Sequence, residues 1–323
     1  MTVSGNSVTE AGDDAFTMDA WGPNIQTNVA ISGNTFKTTG LGKGDGMSFE
    51  LDADTCSFFF KPDADPPDPC QRGYTASGVH HVSITNNTIE VDAENLAASS
   101  SKAEGIKLEL GKGIKTGNIS GNIDISNNDI KTRTGDGIEL KIAEQNDQTK
   151  LLAGTTTLKI DIHINDNVLT QTNEIHAGHD QDSATILALT YGKESDDNSK
   201  SIIQSAFQAK NNTLTMNAGA FNDPNAINLQ GLSGQAESVY QFEITGNNLQ
   251  QSAYKKLLMD VVAVPMPPLP LNDSAFKIVA PANTDTRKAF DDYLDSVNPG
   301  SDTSISHTSD PVRIEALDSF VDD

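Results

Sequence analysis

The chain has 323 residues, of which 36% are hydrophobic and 6% aromatic, and its formal net charge is −23. Such a negative charge argues against nucleic-acid binding, which requires a basic surface. Two cysteines are too few for a disulfide-dense scaffold, and the apolar run from Val261 to Leu271 is too short and too rich in proline for a transmembrane helix. We therefore expect no nucleic-acid partner and no membrane insertion.

The first residues already carry the pattern that recurs along the chain. An apolar–polar alternation starts at Val3, without a basic or strongly apolar segment of a signal peptide before it. Terminal units of repeat proteins normally have capping features, and the sequence shows none here. We expect the sequence to be a segment of a longer chain; the alternative is an intracellular protein with a frayed first turn.

A six-residue pattern recurs seven times. It consists of an apolar residue, two polar or small residues, an asparagine, any residue and a second apolar residue, as in Ile84 to Ile89. The asparagines of the seven copies are Asn6, Asn34, Asn87, Asn128, Asn167, Asn212 and Asn247. Their irregular spacing of roughly 40 residues is typical of solenoid repeats.

Each copy of the pattern predicts a sharp corner. Ile84 and Ile89 are both apolar, but an odd number of positions separates them, so they would face opposite sides of a straight strand. A bend between them turns both toward a core. Asparagine tolerates the left-handed backbone region, and we therefore expect the pattern asparagine to form the bend. Apolar alternation on both sides of the corner predicts a strand before it and a strand after it.

A second motif follows the corners and predicts a third strand in each unit. It reads GDGMSFEL from Gly44, AEGIKLEL from Ala103 and GDGIELKI from Gly135, with apolar residues again in alternation. Three short strands joined by corners and repeated in tandem predict a solenoid. In such a fold, equivalent strands stack into parallel sheets around a continuous apolar interior.

The pairing of (I/V)-x-x-N-x-(I/L) with G-D-G-I-x-L resembles the right-handed parallel β-helix of the pectate-lyase-like superfamily, over residues 1–250. The resemblance implies an all-β solenoid of about seven coils, with the seven asparagines stacked as a ladder at one corner. It leaves the activity open, because lyases, hydrolases, epimerases, phage spikes and bacterial adhesins share this fold.

Segments without the pattern interrupt the units at residues 52–77, 111–121, 143–157, 191–205 and 231–238. All follow the third strand, so we expect them to project from one edge, either as a binding surface or as tolerated surface loops. The first segment contains Cys56 and Cys70. We predict a disulfide between them and hence an extracytoplasmic location; two free thiols in a cytosolic protein are the alternative.

The pattern changes after Leu249, so we divide the chain into a β-helix over residues 1–250 and a linker with a C-terminal cap or tail over 251–323. Frequent prolines between residues 263 and 271 favour an extended linker. Residues 286–297 have a weak helical pattern with Asp285 as a possible cap, and residues 312–317 are expected to form a last strand.

Four acidic residues hold a similar position before third strands, namely Asp14, Asp45, Glu104 and Asp136. Neighbouring strands lie about 4.8 Å apart, so these carboxylates would repel one another at that spacing. A calcium ion could bridge them, which makes calcium a possible but not a required cofactor. Alternatively, each carboxylate accepts nearby backbone N–H groups in a solvated turn.

The sequence supports a catalytic function less well than a structural one. Pectate lyases combine calcium-binding carboxylates with an arginine base. We call the four acidic residues of the preceding paragraph the acidic row, and the arginine near them is Arg133. A lyase centred on Arg133, Asp136 and Glu104 is therefore one alternative, and a structural ion pair is the other. The motif sets of polygalacturonase-like hydrolases and of epimerases are absent in the required order.

The histidines give no firm site. His176 and His179 lie in a stretch rich in Gly and Asp, which favours an exposed loop over a metal site. At most one of His80 and His81 can face inward, because they are consecutive at the start of a strand. His163 alternates with two isoleucines and is expected to point to solvent.

We therefore predict an extracellular or cell-surface protein with a structural, adhesin-like role, which presents loops to a glycan or a surface protein and performs no catalysis. The architecture is similar to that of autotransporter passenger domains. The alternative is a polysaccharide-active enzyme, a lyase or hydrolase that acts on acidic glycan. Unpaired backbone edges at the ends of the solenoid also predict end-to-end self-association.

Overall fold

The structure of the protein is a computed structural model. It describes residues 1–21, 24–39, 44–52, 75–92, 103–111, 116–133, 135–142, 155–172, 185–191, 200–217, 225–232, 239–262, 275–307 and 313–320. Cys56, Cys70, His176 and His179 lie outside these ranges, so the predicted disulfide stays a prediction.

The described residues form 23 strands and one helix. In chain order the first strands are β1 (Thr2–Ser4), β2 (Ser7–Ala11), β3 (Thr17–Trp21), β4 (Asn24–Ser32), β5 (Thr35–Thr39), β6 (Met47–Asp52), β7 (Thr75–Thr85), β8 (Thr88–Asp92), β9 (Ile106–Leu110), β10 (Thr116–Ser126), β11 (Asp129–Thr132) and β12 (Ile138–Ile142). They are followed by β13 (Thr155–Asn165), β14 (Val168–Gln171), β15 (Thr185–Tyr191), β16 (Lys200–Lys210), β17 (Thr213–Met216), β18 (Asn225–Leu232), β19 (Val239–Thr245), β20 (Lys256–Val262), β21 (Ala275–Val279), α1 (Arg287–Val297), β22 (Asp302–His307) and β23 (Arg313–Leu317).

The strands form three parallel sheets. Sheet A has nine strands in the order β1-β4-β7-β10-β13-β16-β19-β21-β23. Sheet B has six strands, β2 to β17, and sheet C has eight strands, β3 to β22. Up to β19, successive strands go to sheets A, B and C in turn; we call three such strands a layer, so that β1–β3 form layer 1 and β4–β6 form layer 2. The prediction of an all-β fold with long parallel sheets is confirmed.

One hydrophobic core receives side chains from all three sheets. Ile84, Ile89 and Ile106, which come from sheets A, B and C of the same layer, are each 0% exposed. The two isoleucines on either side of the corner therefore both face inward, as the odd spacing requires. Burial of each such side chain contributes roughly 2 kcal/mol, which makes the periodic apolar residues the main source of stability.

The bend lies one residue earlier than predicted. The backbone is left-handed at Asn86, Asn127, Asp166 and Asn211, with φ between 56° and 57°, and it is also left-handed at Gly5, Gly33 and Gly246. The expectation that the pattern asparagine itself bends the chain is wrong. The bending position is solvent-exposed in each of these layers and holds only residues that tolerate positive φ, whereas the asparagine that follows is buried from Asn34 onward.

The connections differ in how much their length varies. Every corner from sheet A to sheet B consists of two residues, from residues 5–6 in layer 1 to residues 211–212 in layer 6. Connections from B to C vary, as between residues 93–105 and 133–137, and so do those from C to A. The expectation that insertions occur only after the third strand is therefore too narrow, and parts of the segments assigned as insertions belong to β7, β10, β13 and β16.

The three-sheet pattern changes near the C-terminus. β20 and β22 extend sheet C, and β21 and β23 extend sheet A, so strand pairing continues beyond residue 250. The predicted helix and last strand are present. Along the chain, the helix α1 lies between a strand of sheet A and a strand of sheet C, where the earlier layers have a strand of sheet B. It contacts β19 and β22. Its N-cap is Thr286, which accepts a hydrogen bond from the backbone N–H of Ala289, and not Asp285 as predicted.

The left-handed corner can be tested at Asn127, which is exposed and has a φ of 57°. We expect Asn127→Ala to lower the free energy of unfolding by about 1 kcal/mol, because alanine is strained in this region, whereas Asn127→Gly leaves it nearly unchanged. Urea denaturation of the two variants measures the difference. Equal losses in both variants would show that the side chain, not the backbone, matters at this position.

Candidate functional site

The inward-facing asparagines form one continuous row of hydrogen bonds. In each step, the backbone N–H and the side-chain Nδ2 of one asparagine donate to Oδ1 of the asparagine in the next layer. The first step, from Asn6 to Asn34, has distances of 2.9 and 3.1 Å, and the last has 3.0 and 2.9 Å. We call this row the asparagine ladder: Asn6, Asn34, Asn87, Asn128, Asn167, Asn212, Asn247 and Asn298.

From Asn34 onward, each ladder amide also contacts the layer before it. Nδ2 of Asn128 donates to the carbonyl of Ile84 at 2.8 Å, and Nδ2 of Asn167 donates to the carbonyl of Ile125 at 2.8 Å. One side chain therefore joins three layers. Asn167 is 0% exposed, and its burial is tolerated because its donors and its acceptor all have partners.

The sequence pattern does not contain the eighth ladder residue. Asn298 is the C-cap of α1 and lacks the flanking apolar residues of the six-residue pattern. Its position follows from the contact of α1 with the sheets, so no local signal could have identified it. Its backbone N–H and Nδ2 both donate to the carbonyl of Leu294 within α1, at 3.0 and 2.9 Å.

The acidic row lies where each chain segment enters sheet C. Parallel pairing places Asp14 beside Asp45, and Asp45 beside Glu104. The backbone N–H of Asp45 donates to Oδ1 of Asp14 at 2.6 Å, and that of Glu104 donates to Oδ1 of Asp45 at 2.8 Å. Asp45, Glu104 and Asp136 are each at most 7% exposed. The carboxylates of Asp14 and Asp45 thus join layers through backbone hydrogen bonds.

Burial dominates the electrostatics of this row. It raises the pKa of Asp45 above its ordinary value. Burial, a hydrogen bond with Asp45, and the charges of Asp45, Glu139 and Asp136 raise the pKa of Glu104 well above its ordinary value. Glu104 therefore holds a proton at neutral pH and shares it with Asp45, which removes the repulsion expected between adjacent carboxylates.

The closest grouping of carboxylates is not the complete predicted row. Oxygens of Glu104, Asp136 and Glu139 lie within 4.8 Å of one another. Asp14 belongs to layer 1, two layers before Glu104. Sequence reasoning missed Glu139, although it follows Asp136 by three residues in the motif GDGIEL. Three hard oxygen ligands of this kind suit a calcium or magnesium ion.

Basic side chains border the same strands. Lys107 lies 3.1 Å from Glu109, and Lys141 lies 3.1 Å from Glu139. Burial lowers the pKa of Lys107, but the charge of Glu109, its hydrogen bond with Lys107 and the charges of further nearby carboxylates together outweigh this effect and raise the pKa above its ordinary value. The ammonium group of Lys107 therefore remains charged and offsets part of the negative potential on sheet C.

Arg133 has a structural partner. Its Nη1 lies 3.1 Å from Oδ1 of Asp92 in the preceding layer, and its side chain is 10% exposed. A lyase base must be deprotonated and must reach substrate, whereas this guanidinium is held by a carboxylate and largely buried. The geometry supports the ion-pair reading of Arg133.

Of the two consecutive histidines, His80 faces inward. It is 2% exposed, and its Nδ1 lies 2.9 Å from the hydroxyl of Thr27. A Cβ atom at Gly78 would lie 2.4 Å from Nε2 of His80, so the glycine provides room for the ring. Burial, followed by the charge of His81, lowers the pKa of His80 to about 4, and the imidazole is therefore neutral at physiological pH.

His163 does not point freely to solvent, contrary to expectation. Its ring makes an edge-to-face contact with Phe320, at a distance of 6.0 Å between ring centroids. Phe320 follows β23, so the end of the described chain folds back over the outer face of sheet A to reach β13. Sequence alternation gives the face of His163 correctly, but it cannot show what covers that face.

No family model matches the chain, and comparisons with curated proteins and with solved structures give no match either. Within the described ranges, no helix is both long enough and apolar enough to cross a membrane.

The ladder predicts a large effect of removing one amide from its middle. We expect Asn167→Ala to lower the free energy of unfolding by about 3 kcal/mol or more, because both donors of Asn128 lose their acceptor in a dry environment. Oδ1 of Asn212 also loses one of its two donors, and keeps only the backbone N–H of residue 167. The matched control is Asp166→Asn at the adjacent exposed corner, which should change stability little. Chemical denaturation measures both, and a loss below 1 kcal/mol for Asn167→Ala would contradict the structural role of the ladder.

The protonated Glu104 predicts a pH dependence. The folded chain binds this proton more tightly than the unfolded chain, so the free energy of unfolding falls as pH rises above the ordinary value for glutamate and through neutrality. We expect Glu104→Gln to remove this decline and to raise stability at pH 8 by on the order of 2 kcal/mol.

Thermal unfolding between pH 7 and pH 9 in a chelating buffer measures this effect, above the range in which His80 titrates. Glu90→Gln is the control, because Lys37 lowers the pKa of this more exposed carboxyl and its titration lies at acid pH. A Glu104→Gln variant that is less stable than the wild type at pH 8 would contradict the proton-sharing arrangement.

Proposed function

We propose that the chain is a right-handed parallel β-helix with a structural, adhesin-like role on an extracellular or cell-surface protein. In this role the stacked layers form a rigid support, and the connections between strands present variable segments to a glycan or a surface protein. No catalytic step is assigned to the chain.

The observation that carries this proposal is the contrast between constant and variable connections. Corners from sheet A to sheet B have two residues in every layer up to layer 6, and the ladder asparagine occupies the second. Connections into and out of sheet C differ in length from layer to layer. Per-repeat variation confined to particular edges is typical of solenoids that bind partners through those edges.

The engagement of the polar side chains supports a structural role over catalysis. Carboxylates of Asp14 and Asp45 accept backbone N–H groups of the next layer, and Arg133 is paired with Asp92. Catalytic carboxylates and bases need access to a substrate. Among the described residues, the buried side chains of His80, Asp45 and Arg133 instead make contacts between layers.

One observation favours a second candidate, a calcium-dependent enzyme on acidic glycan. The Glu104–Asp136–Glu139 cluster offers three carboxylates close enough to share one cation. A cation there would displace the proton of Glu104 and would provide a contact for a polyuronate carboxylate.

Two measurements on the intact chain separate the candidates. Polygalacturonate is incubated with the wild-type protein and millimolar calcium, and unsaturated products and new reducing ends are measured. Thermal midpoints are recorded with calcium and with chelator, for the wild type and for Glu104→Gln. The structural proposal predicts no product. Product formation that requires calcium and is lost in Arg133→Lys would replace it with the lyase.

The binding role needs its own measurement. The wild-type protein is applied to an array of acidic and neutral glycans and to immobilised surface glycoproteins. We expect saturable binding, with the bound glycan recovered chemically unchanged. Absence of binding to every glycan and glycoprotein on the array would count against presentation of loops to these partners.

A further inference from the structure

One histidine of sheet A faces the hydrophobic core. His80 of β7 is 2% exposed, and the hydroxyl of Thr27 in β4 lies 2.9 Å from its Nδ1. Parallel pairing places these two residues opposite each other in layers 2 and 3. In the next layers the same inward row continues with Gly121 and Ile160. An ionisable ring therefore lies between neutral neighbours on both sides.

Two glycines make room for His80 and its strand. An ideal Cβ atom at Gly78 would lie 2.4 Å from Nε2 of His80, so the ring occupies space that a side chain at position 78 would need. A Cβ atom at Gly121 would lie 2.0 Å from the backbone oxygen of His80, so the close approach of β10 to β7 requires glycine there. Neighbouring backbone thus encloses the ring, in agreement with its low exposure.

No opposite charge faces the ring from the strands that flank it in the described part of the chain. β4 contains no titratable residue. Asp124, the titratable residue of β10, alternates with the buried Ile123 and Ile125 and therefore belongs to the outer face of sheet A. His81 follows in β7 and is exposed, and its charge disfavours a positive charge on His80.

The strands across the core also offer no counter-ion. In layers 2 and 3, the inward positions of sheets B and C hold no titratable residue among the described strands. Their titratable residues occupy the alternate positions, namely Lys37, Glu50, Asp52, Glu90, Asp92, Lys107 and Glu109.

Protonation of this ring is therefore uncompensated. The neutral imidazole is served by the hydroxyl of Thr27, whereas the imidazolium adds a second N–H donor and a charge in a dry environment. Burial and the charge of His81 accordingly lower the pKa of His80 from 6.5 to about 4. An open form, in which water reaches the ring, binds the proton more tightly. The stability of the closed form is complete above pH 6.5 and falls as the pH drops toward 4.

The two ends of β7 are held differently. Beyond its C-terminal end, the backbone N–H and Nδ2 of Asn87 donate to Asn128 and tie the corner to layer 4. The residues from Thr75 to His80 pair with neighbouring strands but have no such buried amide. Local opening starts where the buried contacts are fewest. Loss of the contact at His80 therefore affects the N-terminal half of β7 first.

We propose that His80 and Thr27 form an acid-sensitive lock in sheet A. At neutral pH the lock holds Thr75–His80 between β4 and β10. At mildly acidic pH this half of β7 separates from both strands, whereas the half next to the asparagine ladder stays paired. The lock is a conformational response built into the fold, so the proposal goes beyond the proposed function.

Hydrogen exchange of the intact protein at pH 7 and pH 5 tests the lock. Protection factors, which correct for the direct effect of pH on exchange, are compared for the amides of residues 78–80. We expect them to fall by roughly twentyfold between pH 7 and pH 5, because the proton favours the open form by this factor. The amides of Ile203 to Phe207 in β16 are the internal reference, and we expect no comparable fall there.

Two variants identify the responsible ring. His80→Asn offers an amide to Thr27 but does not titrate, so we expect its protection factors in β7 to be the same at both pH values. His81→Gln is the matched control, because it removes the adjacent exposed histidine and leaves His80 in place. We expect the fall seen in the wild type to persist in this control.

The proposal would be overturned by wild-type protection factors in β7 that do not fall, or by an equal fall in β16. A fall that persists in His80→Asn, or that disappears in His81→Gln, would overturn it as well. If His80→Asn does not fold, NMR titration of the wild-type imidazole decides. We expect the His80 ring to remain neutral down to pH 5 in the folded protein, and a midpoint near 6.5 would overturn the lock. None of these measurements involves a glycan or a reaction, so their outcome is separate from that of the proposed function.

Discussion

The structure depends on one repeated interaction, the hydrogen bonds between the side chains of the asparagine ladder. Because each amide from Asn34 to Asn247 donates to the next layer and to the previous one, its position fixes the register of the strands on both sides of the corner. A slip of one residue would turn every inward side chain outward, so register and core burial are determined together. The constant two-residue corner follows from this requirement.

The acidic row shows what happens when charged side chains occupy a similar stacked position. Neutral amides can repeat through the eight positions of the asparagine ladder without an electrostatic cost, whereas adjacent buried carboxylates cannot all be ionised. The row therefore shares a proton between Asp45 and Glu104. In the next layers the strand register places Thr185 and then Asn225 at this position, so the run of acids ends after Asp136.

The division between a constant and a variable part links the fold to the proposed role. The corner between sheets A and B is invariant in length because buried amides occupy it. The connections to sheet C carry no such ladder, and their length can change with little thermodynamic cost.

The sequence by itself determined the strands, their three-part repeat, the parallel sheets, the inward faces and the helix, because alternation and corner chemistry are local properties of neighbouring residues. Tertiary structure alone decided that Asn86 and its equivalents form the bend, that Asn298 joins the ladder, that Glu139 approaches Glu104, and that Phe320 covers His163. Each of these depends on contacts between residues far apart in the chain, or on competition for one corner between two adjacent residues. Local sequence patterns contain neither kind of information. The burial of side chains and the satisfaction of their hydrogen bonds decide which distant residues come into contact and which of two adjacent residues forms the bend.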